Sequence, residues 1–253
     1  MQLDAMKHRR DMSRGDDIEI ICRIRYPELF NRMRESARAT ALGDISFSTT
    51  FDDGGPKLAQ SYNLLGILAR ANIILFVHDD VIFLSEGWDK KIEDAMRPGF
   101  NVVGAVGSKK YCGGMIFDSG RVYSAGKVVG NIDGRRVVKL MENRSEIEPV
   151  AVVDGMFMAI DRRHFIDTGF DEQFDGLFYY DLDFCLRSNC AVADILIAHE
   201  KPDHLRGVYP PDMRPMEAYT AIFNKKHGFG PDLQIGDQRC DTMEYADYAN
   251  KER

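Results

Sequence analysis

No apolar run in the 253-residue sequence approaches the roughly 20 residues needed to cross a bilayer, so no transmembrane segment is expected. The opening MQLDAMKHRR carries no hydrophobic stretch of the kind that directs secretion, and the expected location is the cytoplasm. Cysteine is sparse: Cys22, Cys112, Cys185, Cys190 and Cys240 are odd in number and contain no CxxC pair. Zinc ribbons and dithiol redox motifs are therefore unsupported, and buried thiols in reducing surroundings are expected. Positive charge is short overall. A net charge of −7 and a pI near 5.4 leave no global field to gather nucleic acid or anionic lipid. A local basic cluster, Lys7, His8, Arg9, Arg10 and Arg14, reads as a solvated tail in preference to a membrane tether. Internal repeats, low-complexity segments and linkers are missing too. The expectation is a single domain over residues 18–230, between a polar arm (1–17) and a polar tail (231–253).

What is present is enough apolar residue, 44% of the chain, for a substantial core. Over the first 110 residues strand and helix patterns alternate. IEIICRI (18–24) reads as a strand, 26–40 as a helix, and DISFSTTF (44–51) as a strand. FDDGGP (51–56) is a turn with Pro56 suited to a first helical position, and Leu58, Tyr62, Leu65 and Ala69 share one helical face. ANIILFV (71–77) is nearly all apolar, as in a parallel strand covered on both sides. A helix is expected over 85–96, with Ser85 as its N-cap and Trp88, Ile92 and Met96 on one side; a strand follows over 101–107. Glycine-rich hairpins are expected from 110 to 160, with a turn at Asp133-Gly134. Two short strands over 149–160, a helical DRRHFID, a helix near 181–188 and a strand at 193–200 complete the pattern. The sum is an α/β fold with a mostly parallel central sheet flanked by helices and a small antiparallel hairpin region.

FVHDDVIF (76–83) sets His78, Asp79 and Asp80 at the end of the most apolar strand. Ligands in such sheets bind beyond the carboxyl ends of strands, and ionised groups there need pairing or a metal. A polar turn is the plainer alternative. Two further clusters follow apolar strands or open helices: Asp181/Asp183 and His199/His204.

The order of these pieces resembles the inverting GT-A glycosyltransferases, in particular the family 2-like group. The matching segments are ILFVHDDV, VVDGMFMAIDRRHF, TGFDEQF and YYDLDFCLRS, with AQSYN in the helix before the first, spread over roughly residues 18–200. HDDV together with YD-x-D looks closest to a branch resembling a streptomycin-biosynthesis protein domain.

The resemblance implies a GT-A fold, a nucleoside-diphosphate sugar donor (UDP by the habit of the family), Mn²⁺ or Mg²⁺, and an acceptor hydroxyl on a glycan, lipid or small molecule. A divalent ion bridging the phosphates would offset the charge that grows on the leaving group. Asp80 matches the metal-ligating position, and Asp79 would contact donor ribose or sugar. His78 stands where the family pattern usually has Asp, so it either ligates through nitrogen or orients a metal-bound water. His199 matches a later metal ligand, with His204 its competitor. Tyr180 occupies the first place of the family's acidic pair, which leaves Asp181 as the base and Asp183 as the neighbour most easily confused with it. Arg25, Asp52 and Asn63 are nominated for base and ribose, and Lys57 for phosphate. Asp154 and Gly155 would form the floor beneath the donor sugar, and Lys201 and Arg206 a cover over the diphosphate. Two other functions use similar residues. A sugar nucleotidyltransferase usually needs a glycine-rich phosphate loop, which ICRIRYPELF lacks, and a phosphohydrolase could use the same acids and imidazoles. A non-catalytic sugar-nucleotide-binding module is the third reading.

Overall fold

In the computed structural model, residues 17–52, 57–111, 123–132, 135–141, 145–174, 176, 178–200, 214–229 and 241–251 are described. Strand β1 (Ile18–Ile24) leads through α1 (Pro27–Thr40) to β2 (Ile45–Phe51), and α2 (Leu58–Leu68) to β3 (Ile73–Val77) and β4 (Val81–Phe83). After α3 (Trp88–Met96) come β5 (Val102–Gly104) and β6 (Val106–Ser108), then β7 (Ser124–Ile132), β8 (Arg135–Leu140), β9 (Ile147–Val150), β10 (Val152–Val153) and β11 (Phe157–Asp161). The remainder is α4 (Arg162–Thr168), α5 (Tyr180–Cys185), β12 (Cys190–Ala193), β13 (Ile197–His199), α6 (Arg214–His227), β14 (Asp241–Glu244) and α7 (Tyr245–Lys251).

Seven strands make the main sheet in the order β2-β1-β3-β11-β5-β12-β9. β2, β1, β3, β5 and β12 run one way, against β11 and β9. The two faces follow from the strand period of two. Ile18, Ile20, Cys22 and Ile24 of β1 join Ile73, Leu75 and Val77 of β3 in a core with Met33 of α1 and Trp88 and Ile92 of α3. Ile21, Ile74 and Phe76 face the other way, onto Leu58 and Tyr62 of α2, Phe165 of α4 and Phe184 of α5. Burial on both faces is what the unbroken apolar run of β3 requires.

A second sheet runs β10-β6-β7-β13-β4, with β8 paired to β7 and β14 to β8. It holds a smaller cluster of Val129, Val138, Leu196, Ala198 and Tyr248. Within 231–253, the segment read from sequence as a polar tail, residues 241–251 thus form a strand and a helix.

Some boundaries shift for physical reasons. The helix expected from 85 starts at Trp88, capped by Gly87 in a left-handed conformation (φ 66°). Ser85 is not its cap, because its hydroxyl accepts the Leu196 N–H at 2.7 Å. The strand expected over 101–107 divides at Ala105, where the chain passes from one sheet to the other. Gly126 (φ 102°) fits there because a Cβ would lie 2.1 Å from the Ala105 carbonyl oxygen. Likewise 193–200 resolves into the end of β12 and the short β13. Cys22, Cys185 and Cys190 are buried free thiols, as the cysteine pattern implied.

Candidate active site

β3 leaves the main sheet at His78, and three residues later β4 enters the second sheet. The turn is pinned at each residue. The His78 N–H donates to the Met156 carbonyl at 3.1 Å, which ties it to the loop before β11. Asp79 is only 7% exposed, and its Oδ2 accepts the Arg25 and Tyr26 N–H groups at 2.6 Å each. Burial raises its pKa against the pull of those two amides. Asp79 therefore staples the β1–α1 corner to the turn, and that oxygen is already engaged without a sugar.

Asp80 meets β13, whose register sets His199 opposite Val81. The Glu200 N–H donates to the Asp80 carbonyl at 2.8 Å. His199 Nε2 lies 3.1 Å from Asp80 Oδ1, and the rings of His78 and His199 are 5.7 Å apart. Burial works to raise the Asp80 pKa, but the two imidazoles outweigh it and hold the carboxyl below its usual value. Burial lowers the pKa of His78, favouring the neutral ring that a metal needs. Asp80 Oδ1 is buried, yet among the described residues no donor is aligned with it as a hydrogen bond.

The ligand atoms of His78, Asp80 and His199 all lie within 4.8 Å of one another. Two ligands at right angles around one ion, with bonds of about 2.1–2.2 Å, are about 3 Å apart, close to the Asp80–His199 separation. The donor set fits a divalent cation, and its two nitrogens suit Mn²⁺ better than Mg²⁺. The third ligand atom, from His78, is the observation that favours a cation over a simple His–Asp pair.

Opposite this cluster lies the start of α5. Tyr179, before it, has φ 70°, the one non-glycine residue in the left-handed region among the described residues. Such strain is held in place by surrounding packing; here Tyr179 packs on Phe223, with centroids 4.8 Å apart, and its hydroxyl meets Thr220 at 2.7 Å. The bend presents Tyr180 and Asp181 to the Asp154-Gly155 loop. Asp181 accepts the Gly155 N–H at 2.8 Å through Oδ2 and the Leu182 N–H at 2.9 Å through Oδ1. Burial and the nearby Asp154 charge raise its pKa to about 7, despite those amides. Gly155 is sterically required: a Cβ would fall 2.4 Å from Tyr180 Oη and 2.9 Å from Asp181 Oδ2. Asp154 accepts the Met156 N–H at 2.9 Å and acts electrostatically on both His78 and Asp181.

Asp183 points elsewhere. It is fully buried, with Arg187 at 2.8 Å, Lys226 at 2.6 Å and His227 at 2.9 Å, and so ties α5 to α6. Asn63 is also engaged away from the cluster: its Oδ1 accepts the Phe170 N–H at 2.8 Å and its Nδ2 donates to the Phe170 carbonyl at 2.9 Å. It is a clamp on the GFDE loop. Lys57 caps α2, and Arg25 is exposed with its guanidinium 5.6 Å over the Tyr26 ring. Asp52 pairs with Arg23 at 2.7 Å. Sequence reasoning passed over Arg23, although a cation inside IEIICRI was a signal; its side chain is largely buried, and its Nε has no hydrogen-bond partner among the described residues. Lys201, His204 and Arg206 lie outside the described residues.

A family model described as "Glycosyltransferase like family" matches residues 44–210, well over half of the chain. No curated protein matches the chain in sequence. Among solved structures, the mannosyltransferase PcManGT from Pyrobaculum calidifontis, in complex with GDP-Man and Mn²⁺, aligns with a TM-score of 0.55 at 10% identity, over 86% of this chain and 66% of its own. GalNAc-T7, with UDP, GalNAc and Mn²⁺, aligns with a TM-score of 0.50 at 8% identity, over 84% of this chain and 55% of its own. At these identities the likeness concerns the fold, which is GT-A, as the motif order implied.

Proposed function

The chain belongs to the glycosyltransferase-like family, and from that premise we propose that it is a metal-dependent, inverting glycosyltransferase using a nucleoside-diphosphate sugar, UDP-linked by preference. The observation that carries this reading is the convergence of one ligand atom each from His78, Asp80 and His199 within 4.8 Å at the end of β3. His78, Asp80 and His199 would hold Mn²⁺, with Mg²⁺ the poorer fit. Bound there, the ion would offset the negative charge that builds on the departing diphosphate.

The rest belongs to the chain's own residues. Asp181 takes the proton of the acceptor hydroxyl as its oxygen attacks the anomeric carbon in line with the leaving diphosphate. A base titrating near 7 is half ionised at neutral pH, close to the optimum for proton removal, and such a base contributes ~10²–10⁴-fold. Asp154 faces the same space, where it keeps Asp181 basic. Arg23 and Asp52, at the ends of β1 and β2, would meet the nucleoside, with Arg25 and Lys57 at the exposed rim. The acceptor is a hydroxyl compound of open class: glycan, lipid or small molecule.

The test is thermal unfolding with UDP, GDP and dTDP, each with and without Mn²⁺. A ligand at about 100 times its dissociation constant adds about 2.7 kcal/mol. The expected result is stabilisation by one nucleotide that needs Mn²⁺ and is lost in Asp80→Ala. No stabilisation by any nucleotide would sink the proposal.

A further inference from the structure

The Tyr180 ring is buried between Tyr62, 6.1 Å away, and Phe170, 5.4 Å away. Its hydroxyl reaches two groups: the Gly155 carbonyl oxygen at 3.2 Å and His78 Nε2 at 3.5 Å, the second at the outer limit of a hydrogen bond. A phenol has one proton, and a carbonyl oxygen can only accept. The shorter contact assigns the proton to Gly155, which leaves the phenol oxygen to meet His78 as an acceptor. His78 Nε2 must then carry the ring proton, which leaves the lone pair on Nδ1.

We infer that Tyr180 is a positioning residue for the cation site: by accepting from Nε2 it selects the tautomer of His78 that keeps its lone pair on Nδ1, and Nδ1 is then the atom His78 offers a cation held with Asp80 and His199. This rests on the reading above that these three residues hold a divalent ion. Metal-bound imidazoles generally donate their second N–H to an oxygen, and loss of that partner costs roughly 10–100-fold in metal affinity. A carboxylate at position 180 would accept as well, but it would add a buried charge beside Asp181 and Asp154. The phenol does the same task while neutral. Gly155 belongs to the device, because the missing Cβ lets the phenol oxygen reach both partners.

The experiment is a titration with Mn²⁺ alone, followed by electron paramagnetic resonance, on wild type, Tyr180→Phe, His78→Asp and the double variant. Tyr180→Phe should weaken Mn²⁺ binding about 10–100-fold in the wild-type background. With Asp at position 78 there is no tautomer to set, so the same substitution should then cost under twofold. Equal losses in both backgrounds would mean that Tyr180 acts only through packing, and no loss in either would also overturn the inference. A wild type that takes up no Mn²⁺ would remove the cation reading itself, and the role of Tyr180 with it. Two-bond proton–nitrogen correlation spectra of ¹⁵N-histidine-labelled wild type need no variant to fold. They should show His78 as the Nε2–H tautomer, and Nδ1–H there would overturn the assignment.

Discussion

Asp181 and Asp183 stand two residues apart on α5 in opposite surroundings. Asp183 is ringed by Arg187, Lys226 and His227, whereas Asp181 has two amides and the unfavourable charge of Asp154. Removing one partner of a buried ionic cluster strands the others, so Asp183→Ala should lose about 3–5 kcal/mol in urea unfolding. Asp181→Asn should behave differently. Its folded pKa, about 7, is raised above that of an ordinary aspartate, so the group's contribution to stability is full at low pH and lost as pH rises through 7. Asn mimics the protonated form. The variant's melting temperature should therefore exceed that of wild type by several degrees at pH 8, and the gap should shrink towards pH 4. Turnover should fall ~10²–10⁴-fold with donor binding retained. The acid limb of kcat/KM in wild type should lie near pH 7. On a helix, side chains two residues apart point in different directions, so the spacing of these two aspartates allows only one to face the cleft. It could not reveal that Lys226 and His227, more than forty residues later, return to neutralise one of them.

At the scale of elements, α5 is docked on the Asp154-Gly155 loop with no room for a side chain between them. Gly155→Ala must push Tyr180 and Asp181 away together. Overpacking of this kind costs about 1–3 kcal/mol, and the displaced base should lower kcat by ~100-fold while the melting temperature falls only a few degrees. The long elements of the main sheet were legible: β1, α1, β2 and α2 show strand or helix patterning and β3 an unbroken apolar run, over 5 to 14 residues. The second sheet was not, because β4, β6 and β13 have three residues each and β10 two, too few to show a period. Their partners lie far along the chain. Asn63 shows a related limit: a polar residue on a helix looks alike from sequence whether it meets a ligand or a backbone loop, and its amide bonds the Phe170 backbone.

The whole molecule joins two separately hydrogen-bonded sheets, and the chain crosses between them repeatedly, most abruptly at Ala105 and at His78-Asp79-Asp80. Residues 241–251 extend the second sheet through β14 and rest Tyr248 on its apolar cluster, with the Tyr248 hydroxyl 2.7 Å from Lys127 Nζ. DTMEYADYANK is divided between a four-residue strand and a seven-residue helix, each too short to show its period in the sequence. The crossing at His78 has its own outcome. His78 ends the run out of the main sheet, while Asp80 and His199 flank β4 and β13 of the second, so an ion held by all three would cross-link the two sheets. Amide hydrogens of β4 and β13 should then exchange with solvent deuterium more slowly when Mn²⁺ is added, while those of β2, at the far edge, keep their rate. The protein would report cation occupancy as a local stiffening of its seam, readable by mass spectrometry before any sugar is transferred.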